Sequence, residues 1–148
     1  MKIDYSKEKI IIPKYPTCFV CGPENKRGLG LTFIAYGDMV EAEFIPEKNL
    51  CGYTGIVHGG ITASIIDEGM GWTAYAQTRK FYLTAELQLR YKKPVKYGRK
   101  YIFRAKLIDI KKKLFKAEGE LVDSEDGTIC VTGFAKYFLV DGNPEDEV

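Results

Sequence analysis

One stretch, residues 58–77 (HGGITASIIDEGMGWTAYAQ), carries helical spacing through a chain that otherwise alternates like strands. Ile61, Ile65, Ile66, Met70, Trp72 and Thr73 fall on one broad sector at helical periodicity, and no proline interrupts them. Before it, LGLTFIAY (29–36) and MVEAEFIP (39–46) read as strands joined by a Gly37-Asp38 turn. After it come FYLTAELQLRYKKPV (81–95), whose alternation puts Leu83, Ala85, Leu87 and Leu89 on one face, IFRAKLIDIKK (102–112), and two further strands at 113–122 and 128–140. Asp126-Gly127 joins the last two and is a strong hairpin signal. The order is two strands, one helix, four strands. Strands that follow one another through short turns pair antiparallel, and the only helix available to cover their apolar face is the central one. The expected architecture is therefore α+β, with a six-stranded antiparallel sheet wrapped around one long central helix.

At 148 residues the chain has the size of one domain. Pro13, Pro16, Gly22, Pro23 and Gly28 mark residues 1–28 as an irregular or partly helical lead-in. Residues 29–140 hold the patterned domain, and 141–148 (DGNPEDEV) form an acidic tail. No apolar run approaches the roughly 18 residues of a membrane span, and IIIP is too short for a signal-peptide core. A cytoplasmic protein without membrane contact is expected. Within the helix, Gly69 and Gly71 each cost about 1 kcal/mol relative to Ala. A helix that keeps both needs something packed very close to them.

The charge is uneven. Segment 79–116 carries 14 Lys and Arg against two acids, Glu86 and Asp109, a local excess of +12. Such a field favours an anionic ligand, and a set of solvated strand faces is the plainer reading. Cys18 and Cys21 form a C-x-x-C pair, with Cys51 and Cys130 far along the chain. With His58 as the sole histidine, a closed metal site would have to recruit one of those distant cysteines. The thiols are read as buried or reduced, and no metal site is expected.

Four features carry chemistry. His58-Gly59-Gly60 opens the helix, where unpaired backbone N–H groups and the helix dipole can hold a developing oxyanion. A tight glycine turn explains the same residues. Asp67 lies two turns further on among small residues, either half-buried as a base or solvated on the surface. Thr84 offers a strand hydroxyl. Arg90, Lys92, Lys93 and Lys96 cluster after that strand, as phosphate ligands or as protection of a sheet edge. No phosphate-binding glycine loop and no Ser-His-Asp set is present in the sequence.

Together, GIVHGGITASIIDEGMGW, TAELQLRYKKPVKYG and CFVCGPENKRGLGL resemble the hotdog-fold acyl-CoA thioesterases, in their phenylacetyl-CoA-thioesterase-like branch, from about Cys18 to Val140. The resemblance implies a dimer or tetramer with active sites shared across the dimer interface. It implies that the Gly60 N–H polarises the thioester carbonyl. Asp67 then serves as general base or as nucleophile, His58 shapes the loop or bonds the acyl carbonyl, and Thr84 assists the water. Gly59, Arg90, Lys92, Lys93 and Lys96 would bind coenzyme A, which belongs to the substrate, so no separate cofactor is expected. Cys51 and Gly52 stand where many relatives place Asn or Gln, and Thr54 where proline is common. The competing readings are an acyl-CoA-binding hotdog module without turnover, a dehydratase, and a nucleic-acid-binding β-domain. Nucleic acid is not the expected partner, because many of the aromatics sit at core-facing strand positions. The acyl group is left open, and Trp72, Tyr75, Phe81 and Tyr82 are each expected in the core.

Overall fold

The structure, a computed structural model, describes residues 1–147; Val148, the end of the acidic tail, lies outside the described residues. Seven strands form one sheet: β1 (Lys9–Ile11), β2 (Ile34–Tyr36), β3 (Met39–Phe44), β4 (Phe81–Tyr91), β5 (Tyr101–Lys111), β6 (Leu114–Asp123) and β7 (Ile129–Val140). Their order is β1-β2-β3-β5-β6-β7-β4, and every neighbouring pair is antiparallel. Helix α1 (Gly59–Gly71) runs on through a 3-10 turn (Trp72–Ala74) into the short α2 (Tyr75–Thr78). These helices connect β3, in the middle of the sheet, to β4 at its far edge. This is the hotdog arrangement that the sequence leads one to expect, with the sheet curled around α1.

The buried face of α1 is Thr62, Ile65, Ile66, Gly69 and Met70, the i, i+3, i+4, i+7, i+8 stripe of an amphipathic helix. It meets the inward faces of β5, β6 and β7, where Phe103, Phe115, Leu121, Val131 and Tyr137 are fully buried. Each such side chain contributes roughly 1.5–3 kcal/mol by leaving water. The two helix glycines have the close neighbours expected of them. A Cβ on Gly69 would sit 2.1 Å from the Phe103 ring, and one on Gly71 would sit 2.2 Å from the Tyr82 ring.

Three expectations need correction. The sheet has seven strands, because Lys9–Ile11 of the supposedly irregular lead-in pairs with Ile34–Tyr36. Three residues carry too little alternation to register as a strand in sequence. Residues 29–33 are not strand: the N–H groups of Leu29 and Leu31 donate instead to the carbonyls of Phe19 and Val20 in the lead-in (2.8 and 2.9 Å). The third correction concerns β4. Its pairing with β7 shifts register between Thr84 and Glu86, a bulge at Ala85. A bulge inserts one residue and so reverses which side chains face the core. Leu83 therefore does not share a face with Leu87 and Leu89. It is 44% exposed, while Tyr82 and Thr84 turn toward α1.

Candidate active site

Residues at the head of α1 and residues two turns along it form two separate half-sites. At the head, His58 is the N-cap, with extended ψ and a ring Nδ1 that accepts the Gly60 N–H at 2.9 Å. The Gly60 N–H therefore already has a partner within the chain. The Gly59 N–H, one position earlier, finds no acceptor among the described residues. Tyr91, from the far end of β4, donates its hydroxyl to the Gly59 carbonyl at 2.6 Å and ties the strand to the helix start. His58, Gly59 and Gly60 are all exposed.

This head opens onto a cavity of about 420 Å³, lined by Tyr53, Val57, His58, Gly59, Lys92 and Lys93 among others. The loop after β4 thus brings two of the four predicted basic residues beside the glycine turn. Arg90 and Lys96 are exposed but do not line it. Among the described residues none of Arg90, Lys92, Lys93 and Lys96 takes part in an ion pair. Other members of the basic segment are neutralised locally: Arg99 pairs with Asp123 and Glu125, Lys100 with Glu43, and Lys80 and Lys113 with Asp141 of the tail.

The second half-site centres on Asp67, which is partly buried. Its Oδ1 accepts the Thr84 hydroxyl at 2.9 Å and the Tyr137 hydroxyl at 3.2 Å, and Tyr137 also donates to the Asp67 carbonyl at 2.7 Å. Burial pushes the Asp67 carboxyl above the usual carboxylate range, while the two hydroxyl donors pull the other way. Burial, followed by the neighbouring Asp67 charge, holds the Tyr137 phenol protonated, so it remains a donor. Thr84 reaches Asp67 only because the bulge at Ala85 holds it on the helix side. Tyr137 was not foreseen; its one signal is an aromatic hydroxyl at an inward position of β7. A second cavity of about 330 Å³ reaches Thr84, the partner of this carboxylate, and is lined by Tyr15, Glu68, Trp72, Phe81, Tyr82 and Thr84 among others, though not by Asp67 itself. Three of the four aromatics expected in the core thus also wall a cavity. Trp72 sits edge-on to Tyr75, Phe81 and Tyr82, with centroids 5.6, 5.8 and 5.2 Å away.

The two half-sites do not meet within one chain. Seven residues separate Gly60 from Asp67, about 10 Å at the rise of an α-helix. One carbonyl and its attacking water span only about 3 Å.

Residues 54–130 match the sequence model of the thioesterase superfamily. The chain belongs to the thioesterase superfamily. No protein of curated function matches its sequence significantly. A solved thioesterase superfamily protein superposes with a TM-score of 0.74 at 25% identity, covering 84% of this chain and 61% of that one. The chain thus spans about three-fifths of that relative's length. Thioesterase superfamily member 2 of zebra fish gives a TM-score of 0.70 at 18% identity, covering 78% of this chain and 89% of that one. The Escherichia coli PaaI protein, from the phenylacetic acid degradation operon, gives 0.71 at 15% identity, covering 78% and 83%. A Streptococcus mutans protein solved with acetyl CoA gives 0.69 at 12% identity, covering 76% and 90%. Among the described residues no helix is long and apolar enough to cross a membrane.

Proposed function

We propose that this chain is an acyl-CoA thioesterase that hydrolyses its substrate in a site shared by two copies. The observation that carries this reading is the pair of half-sites about 10 Å apart on one helix, each holding half of what the chemistry needs. β4 supports the pairing. It is an edge strand of 11 residues whose outer flank has no strand beside it among the described residues, a flank that soluble proteins normally cover. Two such edges laid side by side would bring the α1 head of one copy toward the Asp67 of the other.

In the shared site, Lys92 and Lys93 take the phosphates of coenzyme A at the mouth of the larger cavity. Arg90 and Lys96, outside the lining, contribute only through their field. The thioester carbonyl lies against the head of α1, where the Gly59 N–H and the helix dipole polarise it. The Gly60 N–H joins them when the His58 ring turns away. Asp67, raised by burial and steered by Thr84 and Tyr137, accepts a proton from water as the oxygen bonds to the carbonyl carbon. The C–S bond then breaks, the thiolate leaves and takes up the proton, and the free acid departs. Direct attack by Asp67, with water cleaving the resulting anhydride, uses the same atoms. The acyl group occupies the aromatic cavity that Thr84, the partner of Asp67, helps to line. No cofactor beyond the substrate's own coenzyme A is required, and a cytoplasmic setting suits such a substrate.

One observation favours a second reading, acyl-CoA binding without turnover. The Gly60 N–H is held by His58 rather than presented to a ligand. Thiol release from a panel of aryl, medium-chain and long-chain acyl-CoA substrates decides between them. Turnover that falls by about 10² to 10⁴ in Asp67→Asn, with fold and self-association intact, supports hydrolysis. Tight binding of the same thioesters without thiol release supports the binding module.

A further inference from the structure

Cys18 and Cys21 play no part in the hydrolytic reading, and Glu68 only walls the aromatic cavity there, yet the three side chains converge. One ligand atom from each lies within 4.8 Å of the other two. The Cys18 thiol donates to Glu68 Oε1 at 2.8 Å, linking positions 50 residues apart in the chain. A closed site need not recruit Cys51 or Cys130, as the sequence reading supposed; the third group comes from α1, one residue past Asp67.

The loop that presents the thiols is a tight knuckle. The Gly22 N–H bonds back to the Cys18 carbonyl at 2.9 Å, and the Glu24 N–H returns to the Pro16 carbonyl at 2.8 Å. A Cβ on Gly22 would lie 2.5 Å from both the amide nitrogen and the carbonyl oxygen of Cys18, so only glycine permits the fold-back. The loop is anchored to the core through Val20, 5% exposed, and Cys21, 3% exposed. This backbone holds both sulfurs on the same side of the loop without help from a ligand.

Two buried polar atoms beside the cluster are left without hydrogen-bond partners: Glu68 Oε2 and Trp72 Nε1. An unpaired buried carboxylate oxygen is costly, and native proteins rarely keep one. Burial pushes the Glu68 carboxyl up, with the Cys18 and Cys21 thiols and, more weakly, the nearby Trp72 indole N–H acting the other way. Burial and the nearby Glu68 charge push the Cys21 thiol up. Two thiols and a carboxyl oxygen without a good hydrogen-bond partner thus face one another at a spacing that a metal ion could bridge. Two sulfurs on a tetrahedral zinc ion stand about 3.7 Å apart, given Zn–S bonds of about 2.3 Å. A cluster of this span closes to that geometry with small rotamer shifts.

We propose that Cys18, Cys21 and Glu68 bind a thiophilic divalent metal ion of the zinc class, pinning the lead-in to the helix that carries Asp67. Two thiolates select such an ion over magnesium or calcium, which prefer oxygen ligands. The fourth position falls to water from the aromatic cavity that Glu68 also lines. Ligation as thiolates displaces the protons of the two cysteines.

The test is titration of the reduced, purified full chain with Co²⁺, read by absorption. The expected result is stoichiometric uptake, with thiolate-to-cobalt charge-transfer bands and the intense d–d bands of a tetrahedral site, reversed by added Zn²⁺. Glu68→Gln keeps size and shape and lowers Co²⁺ affinity by at least the roughly tenfold that loss of an outer-shell partner costs. Cys21→Ser removes the charge-transfer bands. Circular dichroism confirms that each variant is folded, and zinc raises the melting temperature of wild type but not of Glu68→Gln. Absence of thiolate bands in the reduced wild-type chain overturns the proposal. So does unchanged Co²⁺ affinity in Glu68→Gln, or ready formation of a Cys18–Cys21 disulfide that zinc does not prevent.

Discussion

Adding one methyl group at Gly69 tests the packing that holds Asp67 in place. A Cβ there would lie 2.1, 2.4 and 2.9 Å from three carbons of the Phe103 ring. Carbon atoms settle at about 3.5 Å or more, so the ring must retreat by about 1.4 Å. It has nowhere easy to go: Phe103 is fully buried and stands edge-on to Phe33, with centroids 6.0 Å apart. Overpacking of this kind costs about 3 kcal/mol, the upper end of the usual range. Replacing glycine by alanine inside a helix returns about 1 kcal/mol. The net expectation for Gly69→Ala is a loss of about 2 kcal/mol, a fall in melting temperature of roughly 4–8 °C for a chain of this size. Urea denaturation at fixed protein concentration measures it. A double-mutant cycle with Phe103→Leu identifies the cause, since the smaller side chain makes room for the methyl. The two changes together should cost less than their sum by about 1 kcal/mol or more. A Gly69→Ala protein as stable as wild type, or strictly additive costs in the cycle, would refute the argument that Phe103 is what requires glycine here.

Two more substitutions test the half-sites. Tyr137→Phe removes the hydroxyl that donates to the backbone carbonyl and the Oδ1 of Asp67, and should cost about 1–3 kcal/mol of stability by denaturation together with a lower kcat; full activity would remove Tyr137 from the proposed machinery. Replacing both Lys92 and Lys93 by Gln should raise KM for an acyl-CoA by roughly 5–30-fold, from about 1 kcal/mol per exposed contact, and leave kcat nearly unchanged. The effect should shrink as salt is added, and a KM insensitive to both changes would move the phosphates elsewhere.

Much of this was readable from local pattern. The helix at 59–71 is amphipathic at its own period, and the strands of the second half declare themselves by alternation and by the Asp126-Gly127 turn, where Gly127 has φ of +76°. The demand for close neighbours at Gly69 and Gly71 followed from helix propensity alone, although which rings supply them did not. The positions of His58, Gly60, Asp67 and Thr84 as site candidates came from spacing and resemblance, and the hydrogen bond between Thr84 and Asp67 is found in the fold. The short β1 escaped notice because three residues are too few to show a period. The distribution of the +12 segment was also hidden, since its neutralising acids come from other strands and from the tail.

By itself, then, the sequence determined the central helix and the long strands of the second half, and how far apart along α1 the glycine turn and the carboxylate stand. Both depend on periods and rises that operate within a few residues. Tertiary structure decided which groups meet. The bulge at Ala85 reverses the facing of β4 and carries Thr84 to Asp67, against the alternation of the residues around it. Tyr137 reaches Asp67 across 70 positions, and Cys18 reaches Glu68 across 50. Those contacts are set by strand register and by how the sheet curls around the helix. These are properties of the whole packed chain, and no local window of sequence contains them.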